Sequence, residues 1–109
     1  MPDPIAQKLE RFLDVVSARQ KLVASNIANV DTPGYHTRDV DFETQLESAA
    51  GAPRAVEVKG LAVNNDGNNV NLDREARLLA ENALRFRMAS GLLRSRIRIM
   101  HTAITEGKS

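Results

Sequence analysis

Two long segments of the chain carry apolar residues at the spacing of an α-helix. In the first, the apolar stripe begins at Ile5 and advances in steps of four and three, with a break only at Arg19. Pro4 suits the first turn of a helix, and Asp3 suits the N-cap position before it. The pattern predicts an amphipathic helix, with its stripe formed by Ile5, Leu9, Phe12, Val16, Val23, Ile27 and Val30.

The second segment has the same spacing without interruption from Leu72 to Ile104. At ~1.5 Å per residue, a helix of this length is roughly 50 Å long. Asn71 or Asp73 can cap its start, and Gly107 is placed to end it. Steps of four and three sustained over so many turns are typical of a coiled-coil seam, formed here by Leu72, Ala76, Leu79, Ala83, Phe86, Ser90, Leu93, Ile97, Met100 and Ile104.

The two helices have more apolar surface than one chain can cover. Apolar residues off the main stripe of the second helix enlarge the uncovered area, namely Leu78, Leu84, Met88, Leu92 and Ile99. We therefore expect partner chains to pack on these helices. The positions expected to pack in the assembly, called the assembly seam below, are Leu9, Phe12, Val16, Val23, Ile27, Leu72, Leu79, Phe86, Leu93, Ile97, Met100 and Ile104.

A proline-glycine pair stops the first helix. Pro33 disfavours the α conformation at Thr32, and Gly34 tolerates the positive φ of a type II turn, so the helix should end near Asn29 or Val30. Asn26 lies three residues before Asn29 on the same helical face. The two amides suit either capping of the helix end or hydrogen bonds across a helix interface, where amides fix register.

The middle of the chain, residues 36–70, differs in composition, with turn residues between short apolar runs. Residues 56–58 and 61–63 are predicted as short strands, and Asp66-Gly67 as the turn of a β-hairpin. The surrounding asparagines, residues 64–69, are predicted to form a solvated turn. The expected fold is mainly α, with residues 1–35 as an N-terminal helix and turn, 36–70 as an irregular middle, and 71–109 as a C-terminal helix.

Catalytic chemistry finds no support in the sequence. There is no Cys, the two histidines stand alone, and no phosphate-binding loop or nucleophile motif occurs. We expect no enzyme activity, metal, cofactor or small-molecule substrate. No stretch approaches the ~20 apolar residues that span a bilayer, and the N-terminus shows no secretory signal pattern.

Charge is distributed unevenly along the chain. Residues 1–84 hold 9 Lys/Arg and 13 Asp/Glu, whereas residues 85–109 hold 6 and 1. Such asymmetry favours association of unlike surfaces. Three arginines on one face of the second helix, Arg87, Arg94 and Arg98, suit ion pairs with neighbouring subunits. Ordinary solvation and contact with nucleic-acid phosphates are the alternatives.

One segment resembles a known family signature. It is similar to the N-terminal signature of bacterial flagellar rod and hook proteins and consists of Ser25, Asn26, Ile27, Ala28, Asn29, Val30, Asp31, Thr32, Pro33, Gly34 and Tyr35. Three later runs, residues 37–43, 66–75 and 79–82, resemble the proximal rod members of that family. The chain is shorter than expected for the family between Phe42 and Asp66, so the resemblance implies a reduced middle domain.

The resemblance implies a structural subunit of the flagellar basal body. Such a subunit is expected to pass through the flagellar type III export apparatus and to join the drive-shaft tube, which spans the periplasm, through its terminal helices. The implied partners are copies of itself, other rod proteins, the basal-body adaptor and the export gate. A free-standing coiled-coil adaptor and a small helical nucleic-acid-binding dimer are the alternatives.

Overall fold

The computed structural model describes residues 3–48 and 50–107. In chain order the elements are α1 (Pro4–Ala28), β1 (Arg38–Val40), α2 (Phe42–Glu47), β2 (Ala55–Glu57) and α3 (Leu72–Gly107). Helices α1 and α3 pack antiparallel. Asp3, at the start of α1, contacts Arg96 in the second half of α3, and Asn26, near the end of α1, contacts Glu75 at the start of α3. The result is a rod-shaped molecule of 70 × 23 × 17 Å, and the prediction of a mainly α fold with two long packed helices is confirmed.

The ends of α1 follow from local chemistry. At the start, the Asp3 carboxylate accepts a hydrogen bond from the Ile5 amide at 3.1 Å, as an N-cap does. At the other end Asn29 is the C-cap. The chain then turns through Pro33 and Gly34, where φ at Gly34 is +75° and the Tyr35 amide donates to the Thr32 carbonyl at 3.2 Å. The predicted helix end and turn are both confirmed.

A two-stranded antiparallel sheet lies in the middle of the chain, as predicted, but not at the predicted turn. Strand β1 pairs with β2, with Arg38 opposite Glu57 and Val40 opposite Ala55, and α2 lies between them in sequence. The predicted strand at residues 61–63 does not form, and Asp66-Gly67 joins no strands. This turn instead contacts the Pro33-Gly34 turn, since the Gly34 amide donates to the Asp66 carbonyl at 2.9 Å.

The prediction of a solvated asparagine turn is wrong for Asn68 and Asn69, whose side chains are buried. The Asn68 amide nitrogen donates to the carbonyls of Asn29 and Thr32, both at 2.8 Å. The Asn69 side chain accepts from the Thr37 amide at 2.6 Å. Both side chains thereby form hydrogen bonds with backbone groups of residues 29–37, so their burial costs little.

The core between α1 and α3 is narrow. Its buried apolar residues are Val15, Val16 and Val23 of α1, with Val40, Leu78 and Ala89 from the other elements. Leu78 was expected to be uncovered and is instead buried, because α3 turns a different stripe toward α1. That stripe, called the inner stripe below, comprises Glu75, Leu78, Asn82, Arg85, Ala89 and Arg96.

Phe42 fixes the middle segment to both long helices. Its ring meets Phe12 edge to face, with centroids 5.6 Å apart. The guanidinium carbons of Arg19 and Arg85 lie 4.8 and 5.7 Å from the ring centroid, within cation–π range. Within the ranges that the structure describes, no helix is both long and apolar enough to cross a membrane.

Candidate functional site

A network of buried charges joins the end of α1 to the start of α3. At its centre, the Asp39 carboxylate lies between two guanidinium groups. Arg19 Nε donates to it at 2.9 Å and Arg74 Nη2 at 2.7 Å, and the Asp39 side chain is only 9% exposed. Charged hydrogen bonds of this length are strong, and removing one partner leaves buried charge unpaired.

Glu75 and Asn26 extend this network across the helix interface. The Glu75 carboxylate is fully buried, and its Oε1 accepts from Arg74 Nη1 at 2.7 Å and from Asn26 Nδ2 at 3.2 Å. Asn26 Oδ1 accepts from the Arg38 amide at 3.1 Å and from the Tyr35 hydroxyl at 2.9 Å. Asn26 therefore ties α1, the turn, β1 and α3 together. The buried network below means Arg19, Asn26, Asp39, Arg74 and Glu75.

The two amides for which the sequence left alternatives open have different roles. Asn26 makes the hydrogen bond across the helix interface. Asn29 caps its own helix, since its Nδ2 donates to the Ser25 carbonyl at 2.8 Å. Each interpretation holds for one residue.

The structure folds the segment Ser25 to Tyr35 back on itself. The Ser25 and Tyr35 hydroxyls are 3.2 Å apart, and the Thr32 hydroxyl donates to Asn29 Oδ1 at 2.9 Å. Ile27 and Val30 are half-buried, while Ala28, Asp31, Pro33 and Gly34 are exposed. The segment Ser25 to Tyr35 thus forms a hydrogen-bonded helix end and turn, from which the Asn26 side chain reaches α3.

Sequence reasoning missed most of the buried network. The available signal was Arg19, a charged residue that interrupts an otherwise apolar stripe and so requires a buried partner. Arg11 was missed as well. It is buried, and it links α1 to the middle segment by donating from Nε to the Gln45 carbonyl at 2.9 Å and from Nη1 to the Gly51 carbonyl at 2.7 Å.

The assembly seam divides between the core and the surface. In α1, Val16 and Val23 are buried, and Leu9, Phe12 and Ile27 are half-buried. In α3, only Leu93 and Met100 are half-buried. The other five seam residues of α3 are 40–59% exposed, namely Leu72, Leu79, Phe86, Ile97 and Ile104. The apolar seam of α3 therefore faces outward beside the inner stripe that packs on α1.

The three arginines expected to pair with other subunits, Arg87, Arg94 and Arg98, are exposed. They form no ion pair among residues 3–48 and 50–107. Arg96, by contrast, is not free. Its Nε lies 2.6 Å from Asp3 Oδ2, so α3 is fastened to the N-cap of α1.

Arg96 also changes the acidity of Asp3. The hydrogen bond from Arg96 holds the pKa of the Asp3 carboxyl below its ordinary value of 3.8, and the amide of Ile5 acts in the same direction. A lowered pKa means that the folded state favours the carboxylate, so the pair stabilises the fold above the unfolded pKa. This stabilisation is lost as the pH falls through the folded pKa.

We therefore expect Arg96→Met to lower the melting temperature slightly at pH ~7 and to lower it less at acidic pH, as the pH falls through the folded pKa of Asp3. Thermal unfolding followed by circular dichroism measures both values. Arg98→Met, which removes an exposed arginine without a partner in the described residues, is the control. An equal loss with Arg96→Met at both pH values would contradict the role of the pair.

Comparison with known proteins agrees with the motif. The sequence pattern of the family described as flagella basal body rod protein matches residues 13–36, which include the end of α1 and its turn. The chain is 30% identical to a relative from Escherichia coli (strain K12) over 125 residues, covering 90% of this chain and 91% of the relative. It is 26% identical to one from Bacillus subtilis (strain 168) over 121 residues, covering 94% of each.

The chain belongs to the family of flagellar basal body rod proteins, which are structural proteins. Both relatives are named flagellar basal body rod protein FlgB. A third protein of that name, from Borreliella burgdorferi, is 29% identical over 110 residues, covering 75% of this chain and 82% of the relative. The first two alignments each cover 90% or more of this chain and therefore reach into both terminal helices.

Proposed function

We propose that this rod subunit lies in the proximal rod and assembles through the exposed seam of α3, packed against helices of neighbouring subunits. The observation that carries the proposal is the row of exposed apolar side chains along α3. Leu72, Ile97 and Ile104 of the seam are each more than half exposed. An exposed apolar row of this kind marks a protein interface.

The two stripes of α3 make different contacts, and this supports the proposal. The inner stripe carries the polar contacts to α1, so the chain holds its own helix pair without the apolar seam. The seam remains available for coiled-coil packing with other chains. A subunit built in this way can fold first and assemble afterwards.

The partners we propose are copies of this chain, other rod proteins, the basal-body adaptor and the export gate. The acidic N-terminal part and the basic C-terminal part of the sequence favour contacts between unlike surfaces. Family membership supports a place in the rod across the periplasm, with delivery by the flagellar type III apparatus. Transmission of torque by packed helices is the role that this position gives the chain.

Hydrogen exchange tests the proposed packing. In the isolated chain, backbone amides of residues 97–107 should exchange fast, because this end of α3 has no helix of its own chain beside it. Amides of residues 75–89, which pack on α1, should exchange much more slowly. In isolated rods, residues 97–107 should become protected at least about tenfold. Fast exchange of residues 97–107 in assembled rods would contradict packing through this end of α3.

A further inference from the structure

The far end of α3 and a groove on α1 are complementary in length and polarity. The ion pair between Asp3 and Arg96 marks the point where α3 passes the start of α1. Residues 97–107 continue beyond it, about 16 Å of helix, and all but the half-buried Met100 are exposed. This segment is called the overhang below.

The groove lies along the first half of α1, and its lining includes no residue of α3. It has a volume of about 1170 Å³ and runs along residues 4–14, with the end of α2 and residues 50–51 as its second wall. Ten residues of helix correspond to about 15 Å, close to the length of the overhang. Its apolar lining comes from Ile5, Leu9, Phe12 and Leu46.

The groove and the overhang carry side chains that can form an ion pair. Three exposed carboxylates line the groove, those of Glu10, Asp14 and Glu47, against one exposed lysine, Lys8. None of these carboxylates forms an ion pair within the described residues. On the overhang, Arg98 is exposed next to the apolar stripe of Ile97, Met100 and Ile104, and Glu106 lies near its end.

A buried group at the groove also lacks a partner. Arg11 lines the groove and is 8% exposed, and its Nη2 makes no hydrogen bond in the part of the chain that the structure describes. A buried guanidinium N–H without an acceptor is costly. An incoming segment that brings a carbonyl or carboxylate oxygen would satisfy it.

We propose that the overhang of one copy docks in the groove of a second copy. The overhang cannot fill the groove of its own chain, because α3 is continuous and leaves α1 at Asp3 in the direction away from the groove. A contact between two different surfaces repeats from copy to copy without closing on itself and so builds helical arrays. The inference rests on the proposed function, to which it adds the pair of surfaces that meet.

Cysteine cross-linking tests the contact, because the chain has no cysteine of its own. One variant carries Ala50→Cys at the groove and another Ala103→Cys on the overhang, at residues that are both exposed. The two are produced together in cells of the source bacterium that lack the native gene. Basal bodies are isolated and oxidised, and disulfide-linked dimers are measured on non-reducing gels. Ala62→Cys, exposed in the middle segment, replaces Ala50→Cys in the control.

We expect a linked dimer with the Ala50→Cys and Ala103→Cys pair, and little with the control pair. Adding Arg98→Glu to the overhang variant should lower the yield roughly fivefold, and Glu47→Arg in the groove variant should restore part of it. A yield equal to the control would overturn the inference. Linkage only between two overhangs, or of Ala50→Cys to another rod protein, would overturn it too.

The same experiment separates this contact from the proposed function. If both variants are found in basal bodies but the linked dimer is absent, the chain is a rod subunit and only the proposed contact is wrong. If the unmodified chain is absent from basal bodies, the proposed function fails, and the contact that rests on it fails as well.

Discussion

Replacing Asp39 by alanine is expected to lower the free energy of unfolding by about 3 kcal/mol, because Arg19 would lose its carboxylate partner and Arg74 would keep only Glu75. Arg19 and Arg74 are only 14% and 17% exposed, so water cannot replace the carboxylate fully. For a chain of this size the loss corresponds to a fall in melting temperature of roughly 10–20 °C. Thermal unfolding of the purified chain, followed by circular dichroism, gives the value.

Asp31→Ala is the matched control, since Asp31 is an exposed aspartate in the turn after α1. It should change the melting temperature by no more than about 2 °C, as exposed substitutions generally do. If Asp39→Ala were as mild as Asp31→Ala, the buried network would not hold the two helices together. The signature segment would then need another role.

The second large effect concerns assembly rather than folding. Ile97→Asp is expected to abolish rod formation and swimming, because a carboxylate placed among packed apolar side chains of neighbouring helices costs several kcal/mol. Ile97 is 54% exposed in the isolated chain. The variant should therefore keep the helix content and melting temperature of the wild type while failing to assemble. Motility in soft agar and the yield of basal bodies measure the defect.

Thr102→Asp is the control for this prediction. Thr102 is exposed on the same helix but lies off the assembly seam, so its substitution adds the same charge at the same end of α3. We expect these cells to swim at or near the wild-type rate. Normal swimming with Ile97→Asp would count against the seam, and a fall in its melting temperature would place Ile97 in the fold instead.

The parts of the fold that were predicted correctly depend on short-range chemistry. Asp3 caps the helix that begins at the next residue, and Asn71 caps α3 through the Arg74 amide at 3.0 Å. Gly34 takes the positive φ that its turn requires. Caps, turns and apolar periodicity involve residues a few positions apart, so the sequence displays them directly.

The buried network was not predicted because its partners are distant in sequence. Arg19 and Asp39 are 20 residues apart, and Asn26 and Glu75 are 49 apart. The immediate neighbours of Asp39 and Glu75 in the sequence do not indicate these partners. Only the antiparallel packing of α1 and α3 brings them together.

The face of α3 that packs on α1 was not predicted, for a related reason. The seam and the inner stripe lie side by side on the helix, and both repeat in steps of three and four. The periodicity draws attention to the more apolar stripe, which is the seam. In the structure the inner stripe packs on α1, because Glu75 and Asn82 form hydrogen bonds with Asn26 and Gln20 of α1. Leu78 is therefore buried and Leu79 is exposed.

Electron microscopy of isolated basal bodies, at a resolution that shows side chains, tests the central claim most directly. We expect this chain in the proximal rod, with α1 and α3 in the inner helical layer and the α3 seam, including Phe86 and Ile97, buried against helices of neighbouring subunits. Absence of the chain from the rod would contradict the account. So would a rod in which the seam of α3 faces solvent while another surface makes the contacts between subunits.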